Sequence, residues 1–401
     1  MLPTLLILLL LTLTTAAVLT IQLRRRHMQH WLPSFLIQEA RRLTTPRPRA
    51  PIHLLLCIAD HFEPTPGPEG AAAVNHWTRD YPTLFANFRD SDGRAPRHTF
   101  FYPLDMYDED HVDAIAHLCA QGFGEVEVHL HHDNDTAASL TQTLNQGLDL
   151  LANRHNLLGR WPDGRPAYGF IHGNWALNNS RPDGRWCGVN DELTILANTG
   201  CYADFTLPSA PSPTQTRTIN SIYYATSHPH CSKSHNHGTP IASAPQPDAS
   251  LMLIQGPLRV HSRGLRPIIE NACLQQSQPP TMDRLDQWIK ANVHVPTRPD
   301  LLFVKLHTHG ATPSNRRVLL GDPMVHFHQG LAARAACDSN FKFHYVTARE
   351  MYNIAKAAES GSTAPVADLL DFQVLAPRPN NAPNSLPITR KSGGVASQVG
   401  R

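Results

Sequence analysis

Apolar and polar residues alternate in two short runs of the chain, residues 125–132 and 301–309. Because successive side chains of a β-strand point to opposite faces, this alternation predicts strands with one apolar and one polar face. Each polar face is rich in histidine towards its carboxyl end. The first face comprises Glu127, His129 and His131, and the second comprises Lys305, His307 and His309. Polar side chains collected at the carboxyl ends of strands are typical of the catalytic mouth of an α/β barrel.

Further apolar runs predict the rest of the fold. Strands are expected at 53–59, 97–102, 167–172, 202–207, 219–225 and 343–346, the fourth and fifth of these as a candidate hairpin. Helical periodicity predicts helices at about 110–121, 136–153, 191–198 and 281–292, and a last helix from the capping box of Thr347 and Glu350. Asp135 and Asn190 are the expected N-caps of the second and third helices. The alternation of strands and helices favours a parallel, barrel-like α/β fold.

The N-terminal segment has a different pattern, because residues 2–23 carry no charged side chain. Such a run is long enough to cross a bilayer of roughly 30 Å, so one transmembrane helix is expected to precede the α/β domain. The run is followed by Arg24, Arg25 and Arg26, and the positive-inside rule then favours a cytoplasmic domain on a bacterial-type inner membrane. A cleavable signal peptide has basic residues before its apolar run, and none precedes this run. Export of the domain stays the alternative.

The segments can be assigned from these patterns. Residues 1–23 are the expected anchor, 24–50 a basic juxtamembrane linker that ends in a stiff proline-rich spacer, 51–358 the folded domain, and 359–401 a disordered tail. The net charge of +2 and the absence of a basic stripe with aromatic residues give no indication of a nucleic acid partner. The seven cysteines form no CxxC pair and are expected to be free thiols. Histidine, with 24 residues, is the one large compositional bias.

Two histidine-rich turns are candidates for metal binding. His129, His131, His132, Asp133 and Asp135 follow one another at the end of the third strand, and imidazoles and carboxylates are the usual ligands of zinc and its neighbours. Asp133 and Asp135 can also cap the next helix. At the end of the first strand stand Asp60 and His61, of which a regular strand directs only one inward. A carboxylate there can ligate a metal or act as a base.

Other polar groups are candidates for proton transfer and substrate binding. His307 or His309 can act as a general acid, since an imidazole titrates near neutral pH. The loop after residue 171 contains Asn174, Trp175 and Arg181, which suit sugar recognition through ring stacking and hydrogen bonds to hydroxyls. The histidine-rich loop 228–237 is expected to be solvated, with His235 able to reach a nearby site.

The order of these motifs resembles that of a known family. The sequence has Ala59-Asp60-His61 after the first strand, the histidine cluster after the third, Arg181-Pro-Asp-Gly184, Tyr202-Ala-Asp-Phe-Thr206, and Leu306-His307 late in the chain. Over roughly residues 52–355 it resembles a divergent member of the polysaccharide deacetylase superfamily, the chitooligosaccharide deacetylase homology group or carbohydrate esterase family four. The resemblance implies a distorted seven-stranded (β/α) barrel and a divalent metal whose bound water attacks an N-acetyl carbonyl.

The resemblance also implies roles for individual residues. The family has two adjacent aspartates where this chain has Asp60-His61, and two histidines four apart where it has His129 and Asp133. The implied metal ligands are Asp60, His129 and His131, with His61, His132, Asp133 and Asp135 as substitutes. Asp60 would also be the catalytic base, His307 would match the family's general acid with His309 in support, and Arg181 would match its substrate-side arginine.

The sequence thus predicts a membrane-anchored hydrolase that removes an acyl group, most simply N-acetyl, from a carbohydrate, with zinc or alternatively cobalt, nickel or manganese as cofactor. One alternative is another metal-dependent amidohydrolase or phosphoesterase, although such folds place a His-x-His pair on the first strand rather than the third. The other alternative is a degenerate barrel that binds glycan or metal without catalysis.

Overall fold

The computed structural model describes residues 2–44, 51–264 and 266–378 as a mixed α/β protein. The strands are β1 (Ile52–His61), β2 (His98–Pro103), β3 (Gly124–Leu130), β4 (Gly159–Arg160), β5 (Pro166–His172), β6 (Cys201–Asp204), β7 (Ile222–Thr226), β8 (Thr239–Pro240), β9 (Ser250–Ile254), β10 (Arg259–Arg263), β11 (Arg266–Glu270), β12 (Leu301–Thr308) and β13 (Phe341–Tyr345). The helices are α1 (Leu2–Arg25), α2 (Leu32–Thr44), α3 (Pro68–Phe85), α4 (Glu109–Ala120), α5 (Ala137–Leu148), α6 (Glu192–Asn198), α7 (Met282–Ala291), α8 (Pro313–Leu319), α9 (Asp322–Cys337) and α10 (Ala348–Glu359).

A run of parallel strands in the order β12-β1-β2-β3-β5-β6-β9 forms the centre of the molecule. Beyond β9 the sheet continues antiparallel through β7 and β8, and β13 pairs in parallel with the first half of β1. In the part of the chain that the structure describes, no ladder joins β9 back to β12, so the predicted closed seven-stranded barrel is not confirmed. The parallel, α/β character of the fold is confirmed.

The central strands bury different residues on their two faces. On β1, Leu54, Leu56 and Ile58 belong to the large apolar cluster under the helices α3 and α4, whereas Leu55 and Cys57 belong to a second cluster on the opposite face. Buried on both faces, a parallel strand of this kind is expected to be apolar throughout. Buried polar residues on these central strands are therefore exceptions that need an explanation.

The second face of β3 is one such departure, because it is polar and buried. Glu125 accepts hydrogen bonds from the guanidinium of Arg349 at 2.8 and 3.0 Å. Glu127 accepts hydrogen bonds from Tyr202 and from the backbone N–H of Gly169. The charged and polar groups satisfy one another inside the sheet, as buried polar groups must.

The N-terminal region differs in part from the prediction. Helix α1 is long and apolar enough to cross a membrane, a property that a signal sequence near an N-terminus shares. The expected linker contains α2, in which Phe35 is buried together with Trp31, Ile219 and Leu258. Each such buried aromatic side chain contributes about 1.5–3 kcal/mol to docking. The proline-rich spacer, residues 45–50, lies outside the described residues.

The C-terminal region also differs from the prediction, since the chain stays packed beyond residue 359. Val366, Leu369 and Val374 are buried against α10, and Leu375 pairs with Arg160 in an isolated β-bridge. The expected disordered tail therefore does not begin at residue 359, because regularly spaced apolar residues give this segment a surface to bury. Residues 379–401 lie outside the described part of the chain.

Most of the predicted elements are confirmed with small shifts of their ends. The predicted hairpin is wrong: β6 pairs in parallel with β9, and β7 pairs with β9 in the antiparallel sense. The cap of α5 is Thr136 rather than Asp135, and that of α6 is Asp191 rather than Asn190. The capping box of Thr347 at α10 is confirmed. All seven cysteines are free, as expected.

Candidate metal centre

Glu63 lies between two groups of imidazoles at the carboxyl ends of β1, β3 and β12. Its Oε1 atom is 2.8 Å from Nε2 of His129 and 3.3 Å from Nε2 of His131. The same oxygen is 3.9 Å from Nδ1 of His61. Glu63 thus belongs to two groups of candidate ligands, one with His129 and His131 and one with His61 and His309, with ligand atoms within 4.8 Å of one another in each.

Strand register and alternation explain why these side chains meet. Parallel pairing sets Ala59 of β1 beside His307 of β12. It sets Pro103 of β2 beside His129 of β3 in the same way. His61 and Glu63 follow Ala59 at intervals of two residues, so they continue the face of β1 that points towards these histidines. The carboxyl ends of four strands therefore deliver their polar side chains to one edge of the sheet.

The contact between His129 and Glu63 brings two hydrogen-bond acceptors together. Nδ1 of His129 lies 3.0 Å from the carbonyl oxygen of Ile171, which can only accept, so Nδ1 carries the proton of a neutral ring. Burial lowers the pKa of His129, and the contact with Glu63 opposes this shift. Nε2 then presents a lone pair to a carboxylate oxygen at 2.8 Å. Either a divalent cation held by the two atoms or a proton on Nε2 would remove this repulsion.

His131 is oriented by a second carboxylate. Nδ1 of His131 lies 3.1 Å from Oδ2 of Asp105, which follows β2, and Nε2 faces Glu63. Burial opposes charging of this ring, but the contacts with Asp105 and Glu63 raise the pKa of His131 to about 9. A metal-ligating histidine commonly donates its other ring N–H to a carboxylate in this way.

His61 is buried, and neither of its ring nitrogens has a hydrogen-bond partner. Burial lowers the pKa of His61 well below its ordinary value, and the neighbouring imidazoles lower it further. Its ring lies 4.6 Å from that of His309 and 4.8 Å from that of Trp175, measured between centroids. Buried polar atoms without partners are rare in folded proteins, and His61 belongs with Glu63 and His309 to a group that could hold a metal ion. The donor set therefore fits a divalent cation.

Trp175 and His307 line the same site. The two rings are 5.0 Å apart, and Trp175 also contacts His61. Trp175 has a φ of 61°, a left-handed conformation that a bulky side chain rarely adopts and that is common at functional sites. Burial lowers the pKa of His307 well below its ordinary value, so its ring is neutral in the free protein. Trp175 and His307, predicted separately from the sequence, therefore lie next to each other.

Asp60 does not join this group, in contrast to the prediction. Its oxygens accept hydrogen bonds from the backbone N–H of Gly310 at 2.6 Å and pair with Nε2 of His98 at 2.8 Å. Asp60 continues the Ile58 face of β1, which lies under α3, whereas His61 faces the other imidazoles. The strand does not bend at its end, so only one of the two residues can face the site.

Three further candidates also lie away from the Glu63 group. Asp133 is exposed and accepts a hydrogen bond from the backbone N–H of Trp186 at 2.6 Å. Arg181 pairs with Asp183 at 2.6 Å and stacks over the ring of Trp186. His235 is buried beside Asn178, and burial lowers its pKa to about 3. Asn174 lies next to Trp175 and donates its backbone N–H to His172 at 3.3 Å.

The two residues that sequence reasoning missed are Glu63 and Asp105. Glu63 stands two residues after His61 and shares its face, which the period of two could have indicated. Asp105 stands two residues after the last residue of β2, where its proximity to His131 depends on a turn that no pattern in the sequence specifies.

No protein-family model and no curated protein matches this chain. The resemblance to polysaccharide deacetylases therefore stays a prediction from the motifs, and function has to be argued from the site itself.

Proposed function

We propose that this chain is a metal-dependent hydrolase that removes an acyl group, most simply N-acetyl, from a carbohydrate. The observation that carries the proposal is the approach of Nε2 of His129 to Oε1 of Glu63 at 2.8 Å, with the proton of His129 held at the carbonyl of Ile171. A divalent cation bound by these two atoms would stabilise the arrangement, and the surrounding imidazoles are ligands for zinc, cobalt, nickel or manganese.

Glu63, His129 and His131 would hold the cation, and His61 with its two unpartnered nitrogens is the next ligand available. A divalent cation at such a site supplies a Lewis acid that polarises a carbonyl and lowers the pKa of bound water. Asp105 holds the ring of His131 in the orientation that ligation needs. Glu63 would take the place of Asp60 as a ligand, because Asp60 is bonded to Gly310 and His98.

His307 and His309 are placed to handle protons beside the ligand group. His307 starts as a neutral imidazole, so it would first take up a proton from the attacking water and then give that proton to the departing amine. Trp175 offers an aromatic surface next to His61 and His307, on which a sugar ring can stack. Arg181 and Trp186 extend this loop outward and suit further sugar residues of a longer substrate.

Helix α1 would anchor the hydrolase in a bacterial-type inner membrane. The three arginines that follow it favour a cytoplasmic domain, because basic residues are retained on that side. A membrane-bound domain of this kind suits a lipid-linked or nascent glycan as substrate.

A second candidate function rests on the position of Glu63 in two ligand groups. Its carboxylate is shared by His61 and His309 on one side and by His129 and His131 on the other. A carboxylate shared in this way is expected of a two-metal centre. Such centres act on phosphate esters, which keeps a phosphoesterase as the alternative.

The test uses the full chain in detergent, loaded with zinc and incubated with N-acetylglucosamine oligomers or with bis(p-nitrophenyl) phosphate. Release of acetate, abolished in Glu63→Gln and retained in Glu69→Gln on the exposed start of α3, supports the deacetylase. Release of nitrophenol with no acetate supports the phosphoesterase. Acetate release that is retained in Glu63→Gln contradicts the proposal. Cation binding without turnover of either substrate also contradicts it and supports the non-catalytic alternative.

A further inference from the structure

A second group of candidate ligands lies behind the first and shares no residue with it. His132 follows β3, His172 ends β5, Glu192 begins α6, and Cys187 stands in the loop between the last two. Their ligand atoms lie within 4.8 Å of one another, and all four residues are buried. The ends of β3 and β5, the start of α6 and the loop before it therefore converge on one small polar group inside the protein.

The distances within this group match those of a tetrahedral site. Oε1 of Glu192 lies 3.1 Å from Nε2 of His132 and 3.8 Å from Nε2 of His172, and its Oε2 lies 3.6 Å from Sγ of Cys187. Zinc bonds of about 2.0–2.1 Å to nitrogen or oxygen and about 2.3 Å to sulfur separate neighbouring ligand atoms by about 3.3–3.6 Å. The other pairs of ligand atoms lie within 4.8 Å of one another, so the side chains would close towards a bound ion.

One observation shows that protein contacts alone do not satisfy this group. Nε2 of His172 is fully buried, directed at Glu192, and without a hydrogen-bond partner. Sγ of Cys187 accepts a hydrogen bond from the backbone N–H of Val189 at 3.5 Å, and its thiol proton is directed at the carbonyl oxygen of Val189 at 3.5 Å or at Oε2 of Glu192 at 3.6 Å. Protons on His132 and Cys187 would satisfy Glu192 but would leave Nε2 of His172 without a hydrogen-bond partner.

We propose that His132, His172, Cys187 and Glu192 bind a structural zinc ion that fixes the loop between β5 and α6. The mixture of thiolate, imidazole and carboxylate is typical of zinc, and four protein ligands close the site. Asp135, whose Oδ2 is 3.0 Å from Nδ1 of His132, would act as the outer carboxylate that orients that ring. This zinc is separate from the proposed catalytic cation.

Binding releases protons in a defined way. Cys187 gives up its thiol proton to solvent, and His132 and His172 bind through Nε2 with their remaining protons on Nδ1. Without zinc, Nδ1 of His172 accepts a hydrogen bond from the backbone N–H of Asn174 at 3.3 Å. This hydrogen bond would break when zinc binds at Nε2 and Nδ1 carries the proton. Because Asn174 precedes Trp175, the zinc would also adjust the turn that places Trp175 at the proposed active site.

Cobalt substitution tests the proposal, because only the second group contains a sulfur ligand. The full chain in detergent, stripped of metal and reloaded with Co²⁺, is expected to show a thiolate-to-cobalt charge-transfer band. Cys187→Ala should lose the band and one equivalent of cation, whereas Cys201→Ala, which removes another buried thiol, should keep both. Glu63→Gln should lose cation from the first group but keep the band, so the two proposals fail independently.

A wild-type cobalt protein without the band, or a Cys187→Ala protein that retains it, overturns the proposal. If Cys187→Ala does not fold, X-ray absorption on the zinc-loaded wild-type protein decides the question. One sulfur neighbour at about 2.3 Å from part of the zinc supports the site, and a first shell of nitrogen and oxygen alone rejects it.

Discussion

His131 and Asp105 are joined by two contacts across the ends of β3 and β2. The backbone N–H of His131 donates to Oδ1 of Asp105 at 3.0 Å, and Nδ1 of the ring lies 3.1 Å from Oδ2 of the same carboxylate. The first contact fixes the backbone after β3, and the second fixes the ring. Together they leave Nε2 of His131 directed at Glu63, which is the orientation that a ligand of a shared cation needs.

Asp105→Asn is therefore expected to weaken cation binding by about 10–100-fold without removing a ligand. The side-chain amide of the variant lacks the negative charge to which Nδ1 of His131 is directed. The ring of His131 is therefore held less firmly, and its pKa should fall. Competition between the purified protein and a chelator of known affinity measures the change. The matched control is Asp110→Asn in the exposed first turn of α4, which should bind as the wild type does. Equal affinities in both variants would show that Asp105 has no such role.

The strand faces could be predicted from the sequence because alternation is a local property. His129 and His131 were placed on the polar face of β3, and His307 and His309 on that of β12, from a period of two alone. The choice between Asp60 and His61 could not be made in this way. It depends on whether β1 stays regular to its end, and that is decided by its pairing with β12 and β2.

The remaining differences have the same origin in long-range packing. The docking of α2 depends on Phe35 meeting Ile219 and Leu258, which lie about two hundred residues away in the chain. The ordered segment after α10 depends on Asn353 and Arg349, which bond to the backbone carbonyl oxygens of Leu370 and Val374. A sequence pattern shows that such segments contain apolar residues, but not that a surface exists to receive them.

Asp60→Asn should separate the role of Asp60 from that of Glu63. Because Asp60 bonds to Gly310 and His98 and faces away from the imidazoles, the variant is expected to keep its full complement of cation. It should lose about 1–3 kcal/mol of stability, since one oxygen that accepts a hydrogen bond in the interior is replaced by an amide group. Metal analysis and urea unfolding of the same preparation measure the two effects.

Glu63→Gln is the comparison for that experiment and should give the opposite result, with cation lost and stability little changed. The part-exposed carboxylate of Glu63 has a smaller role in packing than the fully buried Asp60. Loss of cation from Asp60→Asn, with Glu63→Gln unaffected, would restore Asp60 as the ligand.

Glu127 should make the stability of the protein depend on pH. Burial raises the pKa of Glu127 to about 8, against an ordinary value of about 4.3 in an unfolded chain. Between these values the folded state holds a proton that the unfolded state has lost, so stability falls as pH rises. The contribution of this one group is about 1.4 kcal/mol per pH unit over that range.

Glu127→Gln removes this dependence because an amide does not titrate, while its oxygen and nitrogen can still bond to Gly169 and Tyr202. Urea unfolding at pH 5, 6, 7 and 8 should show the wild type losing stability relative to the variant at each step. Other titrating groups cancel in this difference. Parallel stability profiles for the two proteins would mean that Glu127 is ionised in the folded state.

Arg349→Met should destabilise the protein by about 3–5 kcal/mol, because it leaves the buried carboxylate of Glu125 without its main partner. It also removes the guanidinium donors to the carbonyl oxygens of Leu370 and Val374, so the segment after α10 should become susceptible to proteolysis. Adding Glu125→Gln removes the unpaired charge and should recover part of the loss, which a double-mutant cycle in urea measures. Arg334→Met, which breaks an exposed pair with Asp286, is the control and should cost under about 1 kcal/mol. An equal cost for both single variants would mean that the buried pair does not stabilise the sheet.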